Sequence, residues 1–227
     1  MVNKRIRKNS DLMSLYDMYF KHVLHPISAY KKINQAIDES YRYRELLVES
    51  AYSFITLNLK EHTTLIDIGA YIGDSAMLFA QFKDIDRVIA FEPNKKAYNR
   101  ALYCNLQMPT NVARKILYKN VAIGSINKMS NQLRDDYSSE YMDLNEWMCY
   151  KRMAIKCDTE GSEYEIFNKD LNLKDVYLVQ IEYHYGVQNI LNVLNSKGFS
   201  VTFTDPKVWS DSRNKPGSIG MIYAIRD

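Results

Sequence analysis

The chain has 227 residues, 46% of them hydrophobic and 25% charged, with a formal net charge of +3. That is the balance of an ordinary globular protein of one large domain, or one domain with an extension. No apolar run approaches the roughly 20 residues that a membrane-spanning helix needs. Basic Met1 to Ser10 is not followed by an apolar signal core, which argues against export. Cys104, Cys149 and Cys157 are odd in number and widely spaced, fitting neither a disulfide framework nor a CxxC zinc site. The expectation is a reducing, cytoplasmic setting with no membrane partner. The charge is too small to mark a nucleic-acid binder by itself. The Lys4, Arg5, Arg7, Lys8 cluster reads as a solvated terminus before it reads as a phosphate-contacting arm.

Residues 1–60 are expected to form an N-terminal helical extension, broken at Pro26, and residues 61–227 the main domain. In the extension, Leu12, Leu15, Tyr16, Tyr19, Phe20 and Val23 recur at helical spacing, as do Ile33, Ile37, Tyr41 and later apolar residues. These stripes are packing faces, part of which can also cover a site as a lid. From Thr63 the pattern changes to alternating strands and helices. Strands are predicted at 64–68, 87–91, 116–123, 153–157, 177–183, 199–203 and 219–225. Helices are predicted at 75–82, 95–106, 164–167 and 187–196. The polar stretch 125–150 has no clear assignment. Alternation of this kind implies an α/β fold, a mostly parallel sheet with helices on both faces. The last two strands, with no helix between them, imply a hairpin at one edge.

Ligands of such sheets bind at the carboxyl ends of the strands, and four segments fall there. The first is Leu65-Ile-Asp-Ile-Gly-Ala-Tyr-Ile-Gly-Asp74. Gly69 allows a tight turn and close backbone approach, and Gly73 lets the next helix pack near its strand. Asp67 is placed to meet the ammonium of a bound amino acid, and Asp74 and Ser75 stand where a cap is expected. A plain strand-turn-helix explains the glycines alone. The second segment ends in Glu92-Pro93, 25 positions after Asp67, close to the offset of about 20 for an acid that binds ribose hydroxyls. Pro93 stiffens the turn and leaves Asn94 as a cap. The loop is Gly-x-x-x-Gly and not Gly-x-Gly-x-x-Gly, which argues against a dinucleotide and for S-adenosylmethionine, a cofactor with ribose and adenine but no phosphate.

The third segment, Asp158-Thr-Glu160-Gly-Ser-Glu163, gathers three carboxylates. Glu163 is explained equally well as an acid at a helix start. Asp158 is assigned to the cofactor's methionine end and Glu160 to the acceptor. In the fourth, Glu182-Tyr-His184, strand alternation points Gln180, Glu182 and His184 to one side. His184 is the candidate general base, with Glu182 orienting it or binding the acceptor. A histidine that merely holds the strand end is the plainer alternative. No metal site is expected, because His22, His25, His62 and His184 lack ligand spacing with other donors.

Taken together, the Asp-x-Gly-Ala-x-x-Gly-Asp loop at 67–74, Phe-Glu-Pro-Asn at 91–94, Asn-Val-Ala-Ile-Gly at 120–124, Asp-Thr-Glu-Gly-Ser-Glu at 158–163 and Glu-Tyr-His at 182–184 resemble the FkbM family of methyltransferases. The resemblance spans about Thr63 to Phe203. It implies a class I methyltransferase fold with a Rossmann-like sheet, S-adenosyl-L-methionine as methyl donor, and O-methylation of sugars or secondary metabolites. The cofactor-binding set is then Asp67, Gly69, Ala70, Tyr71, Gly73, Asp74, Glu92, Pro93, Asn120, Val121 and Asp158, with Asn120 and Val121 matching the region that reaches adenine. The catalytic set is His184, Glu182 and Glu160. The expected acceptor is a small molecule or glycan hydroxyl. The competing readings are an RNA methyltransferase, kept alive by 18 tyrosines and the basic N-terminus, and a non-catalytic module that binds the cofactor and a protein partner.

Overall fold

In the computed structural model, the residues described are 52–124, 140–210 and 216–227. Nearly all of the predicted N-terminal extension lies outside them, including His22 and His25. The described chain opens with helix α1 (Ser53–Asn58), then strand β1 (Thr63–Ile68), α2 (Asp74–Ala80), β2 (Ile85–Phe91), α3 (Lys95–Asn105) and α4 (Thr110–Ala113). It continues through β3 (Ile116–Lys119), β4 (Ala122–Ile123), β5 (Tyr141–Met142), β6 (Met153–Cys157), α5 (Glu163–Ile166), β7 (Val176–Tyr183), α6 (Gln188–Ser196), β8 (Ser200–Phe203), β9 (Lys207–Ser210) and β10 (Pro216–Ile225).

The main sheet has the order β3-β2-β1-β6-β7-β10-β8, with β9 paired to β10. The pairs from β3 through β7 are parallel, while β10 runs antiparallel to both β7 and β8. This is the class I methyltransferase arrangement. The expected hairpin is present, but its second strand is not the edge: β10 inserts beside β7 and leaves β8 outside. The strand expected over 116–123 divides in two. After Lys119 the chain leaves the sheet, and β4 pairs instead with β5, inside the polar stretch that had no assignment.

Strand parity sorts the core. Leu65, Val88, Ala90, Ala154 and Leu178 face one cluster together with α1 and α2, and Ile66, Ile68, Phe91, Ile155, Val179 and Ile181 face the other. Asp67, Lys156 and Gln180 stand in register across three central strands, and all three are buried. The Lys156 Nζ lies 3.1 Å from an Asp67 oxygen, with side-chain exposures of 4% and 0%. It also donates to the Gly69 carbonyl at 2.9 Å, and it sits over the Tyr52 ring. Burial alone lowers a lysine's pKa. Here the Asp67 charge and hydrogen bond override it and hold the Lys156 ammonium well above its usual value.

Removing one partner leaves the other charge uncompensated in the core, at a cost of about 3–5 kcal/mol. Lys156→Met and Asp67→Asn are each expected to lose stability on that scale in urea unfolding. The double variant is expected to lose much less than their sum. Additive losses would show that the pair does not act as a unit.

Candidate active site

The carboxyl ends of β1, β2, β6 and β7 meet above the glycine loop. Gly69 has φ +76°, and a Cβ there would come 1.7 Å from the Asp158 carbonyl oxygen. Its small size is needed by a neighbouring strand end and not only by a ligand. Gly73 has φ +81°, and a Cβ would come 2.5 Å from the Tyr118 hydroxyl. Gly73 itself occupies the cap position of α2, and no side chain caps it. The expected caps are employed otherwise. Asp74 is the first helical residue, and Ser75 donates its hydroxyl to Asp67 at 2.6 Å. Asp67 therefore has Ser75 and Lys156 as partners inside the fold.

Four of the loop amides are also used inside the protein. Gly69 and Ala70 both donate to the Phe91 carbonyl, and Gly73 donates to Ala70. Tyr71, at φ +48°, donates its N–H to a Glu92 oxygen at 2.7 Å. The other Glu92 oxygen accepts from the Asn94 N–H, also at 2.7 Å. Burial raises the Glu92 pKa, against the pull of these two hydrogen bonds and of Lys156. A carboxylate has about four lone-pair sites, so each oxygen keeps one beyond its backbone partner. Asn94 caps α3 through Lys96 and Ala97, as expected. The Asn120 side chain donates to the carbonyls of Glu92 at 2.9 Å and Pro93 at 3.1 Å, tying the end of β3 to the same turn. Val121 is buried in the core cluster behind it.

Glu163 sits at the centre of the acceptor side. It is fully buried and takes hydrogen bonds from the Thr159 hydroxyl, the Gly161 N–H, and the His184 N–H and Nδ1. The His184 ring, 3.0 Å from Glu163 at Nδ1, is fixed in orientation by that bond. Its Nε2 lies 3.5 Å from Glu160 and 3.6 Å from Glu182. It is buried and has no hydrogen-bond partner among the described residues. Glu160 stands at φ +55°, a costly conformation for a residue with a side chain, and projects outward with 79% exposure. The ligand-type atoms of Asp158, Glu160 and His184 lie within 4.8 Å of one another. Sequence spacing did not bring these residues together; folding assembles the cluster from two strand ends. His62 takes no part in it and pairs with Asp86 on the surface.

Burial lowers the His184 pKa, but Glu163, Glu160 and Glu182 outweigh it and raise the value from 6.5 to about 9. At neutral pH the ring carries both protons, so Nε2 donates and cannot accept. His184 stands where its candidate base role was expected, with Nε2 toward Glu160 and Glu182. A small cavity beside Asp158 is lined by Tyr52, Lys156, Gln180, Glu182 and Met221. A larger one, of about 270 Å³, lies among Ile123, Leu144, Asn145, Glu165 and Asn168 and touches none of the predicted site residues.

No protein-family model matches the sequence, and neither does any curated protein. Among solved structures, the chain is similar to a precorrin-6y C5,15-methyltransferase from Geobacter metallireducens at 16% identity, covering 78% of this chain and 87% of that one, with a TM-score of 0.46. It is similar to M. capricolum TrmK in complex with S-adenosyl-homocysteine at 13% identity, covering 75% and 65%, with a TM-score of 0.49. It is also similar to a SAM-dependent O-methyltransferase from Thermotoga maritima at 12% identity, covering 78% and 64%, with a TM-score of 0.45. Among the described residues no helix is long and apolar enough to cross a membrane.

The raised pKa has a sign. The stability it contributes is fully present below about 6.5 and is lost as pH rises through about 9. Unfolding free energy is expected to fall across that window, and to fall less in Glu163→Gln. Histidine ring NMR is expected to show His184 titrating near 9 in the parent and markedly lower in the variant. A His184 titration near 6.5 in the parent would remove the effect.

Proposed function

We propose that this chain is an S-adenosylmethionine-dependent methyltransferase that methylates a hydroxyl of a small molecule or glycan. The observation that carries the reading is the division of labour at the end of β2. The amides of Gly69, Ala70, Tyr71 and Gly73 are all used inside the protein, so they offer no cradle to a pyrophosphate. Glu92 keeps lone pairs for hydroxyl donors beside that loop. A cofactor with a ribose and no phosphate suits this donor set, and a dinucleotide does not. In this reading Glu92 holds the ribose, Gly69 to Gly73 and Asp158 border the methionine end, and Asn120 and Val121 border the adenine.

When bound, S-adenosylmethionine supplies a methyl group already activated on a sulfonium. The chain's own work is to align the acceptor and manage its hydroxyl proton. His184 donates from Nε2 to the acceptor oxygen, with its ring held by Glu163. Glu160 and Glu182, both within 4 Å of that nitrogen, are placed to take the proton. The FkbM resemblance belongs with this reading: its Asp-x-Glu-Gly-x-Glu and Glu-x-His elements are the two halves of the Glu163–His184 unit.

Calorimetry is expected to give binding of S-adenosylmethionine and S-adenosylhomocysteine and none of NAD. Glu92→Ala should weaken cofactor binding by about 1.5–3 kcal/mol, the range for hydrogen bonds to a charged group. NAD binding without a response to S-adenosylmethionine would sink the proposal. Mass spectrometry of metabolites and glycans from cells with and without the gene is expected to give a product heavier by one methyl group, which names the acceptor.

A further inference from the structure

We propose that Asp158, Glu160 and His184 form a binding site for one divalent transition-metal ion, with Glu182 completing its acidic wall. The site stands on geometry. The three ligand-type atoms lie within 4.8 Å of one another. Neighbouring donors around one ion at about 2.0–2.2 Å are separated by roughly 3–3.6 Å, so the gathering needs closure by about 1–2 Å at its widest pair. The exposed Glu160 side chain is the part that can swing to supply it.

His184 makes the cluster more than a group of acids. Its Nε2 is buried, has no hydrogen-bond partner among the described residues, and points at Glu160 and Glu182, 3.5 and 3.6 Å away. Leaving a polar nitrogen so placed is costly unless something occupies the space before it. On the other side of the ring, Nδ1 meets the buried Glu163 carboxylate at 3.0 Å. A carboxylate behind a ligating imidazole fixes the ring and raises its basicity, and it is the usual outer partner of a metal-bound histidine. Glu163 is in turn held by Thr159 and Gly161, so the ring is aimed before any ion arrives.

Charge favours a dication. Asp158, Glu160, Glu163 and Glu182 surround the ring, and Lys156 lies close by but is engaged with Asp67. One imidazole among carboxylates suits a first-row transition ion better than magnesium, which prefers all-oxygen shells. The outward exposure of Glu160 leaves coordination positions for water or an incoming oxygen. The Asp158 carbonyl closes over Gly69, so the ion would stand at the mouth of the glycine loop. There it would replace the Nε2 proton in orienting an acceptor hydroxyl and would lower that hydroxyl's pKa. That consequence rests on the methyltransferase reading; the site itself does not.

The test uses the full chain, stripped with a chelator and titrated with MnCl₂, with free Mn²⁺ followed by its electron paramagnetic resonance signal. One Mn²⁺ bound per chain is expected, displaced by Zn²⁺. Asp158→Asn and Glu160→Gln should each weaken binding at least about 10-fold, and Glu163→Gln by about 10–100-fold through the ring it supports. Glu160 is exposed, so its variant keeps the fold, as circular dichroism will verify. No binding of Mn²⁺ or Zn²⁺ to the folded chain overturns the proposal, and so does binding unaffected by Asp158→Asn and Glu160→Gln. Calorimetry with S-adenosylmethionine on the stripped chain separates the two claims. Cofactor binding without metal binding sinks only the metal site, and metal binding without cofactor binding sinks only the methyltransferase reading.

Discussion

The buried pair of Asp67 and Lys156 is the constraint on which the site depends. Parallel register sets the two residues side by side on β1 and β6, where neither can reach bulk water. A lone charge there would be prohibitive, and the pair is tolerable because each charge meets its opposite and each partner has a further hydrogen bond. Ser75 binds one Asp67 oxygen and the Gly69 carbonyl takes a Lys156 proton. The pair thereby fastens the start of α2 and the first residue of the glycine loop to the centre of the sheet. Without it, Gly69 under the Asp158 carbonyl would keep its amide hydrogen bond to Phe91 but lose the one at its carbonyl.

The second anchor, Glu163 with His184, uses the same physics at a site with one open side. Glu163 takes hydrogen bonds from four donors, which is all a carboxylate can accept. His184 then faces two more carboxylates with nothing bound at Nε2. A region that negative and that dry holds a positive charge in one form or another. In the isolated chain it is the second imidazole proton. In the proposed metal-bound form it is the ion, which must displace that proton because a ligating imidazole is neutral. Protonation and metal binding are alternative answers to one field.

Strand positions were the most legible part of the sequence. The apolar run from Leu65 to Ile68 and the run from Met153 to Cys157 are central and buried on both faces, so continuous hydrophobicity announced them. The break after Lys119 was not visible, because Val121 to Ile123 remain apolar while pairing with a different strand. In the site, Glu92, Asn94 and the two loop glycines could be read because their roles are local: a turn, a cap, a strand end. Lys156 and Glu163 could not. A lysine inside an apolar strand carries no periodic signal of a partner on another strand, and an acid at the first turn of a helix has a sufficient local explanation in the helix dipole. Their roles come from contacts 89 and 21 positions away in the chain, which only the sheet order brings together. The one available hint for Lys156 was its polarity in a run otherwise buried, which demands a counter-charge.

Under the proposed function, the end of β2 turns a fold shared with dinucleotide enzymes to another ligand class without changing its sheet. In the phosphate-binding version, loop amides are left pointing outward toward an anion. Here Phe91 draws Gly69 and Ala70 inward through its carbonyl, and Glu92 draws Tyr71. The same glutamate that would receive ribose hydroxyls thus also closes the loop against phosphate. Restoring a phosphate cradle would require releasing those amides. That leaves the Phe91 carbonyl and one Glu92 oxygen short of partners at a buried position, where each unsatisfied group costs about 1–3 kcal/mol. In the proposed reading, exclusion of a dinucleotide follows from the hydrogen bonds that hold the loop closed, and the missing glycine of the sequence pattern is the outward sign of that arrangement.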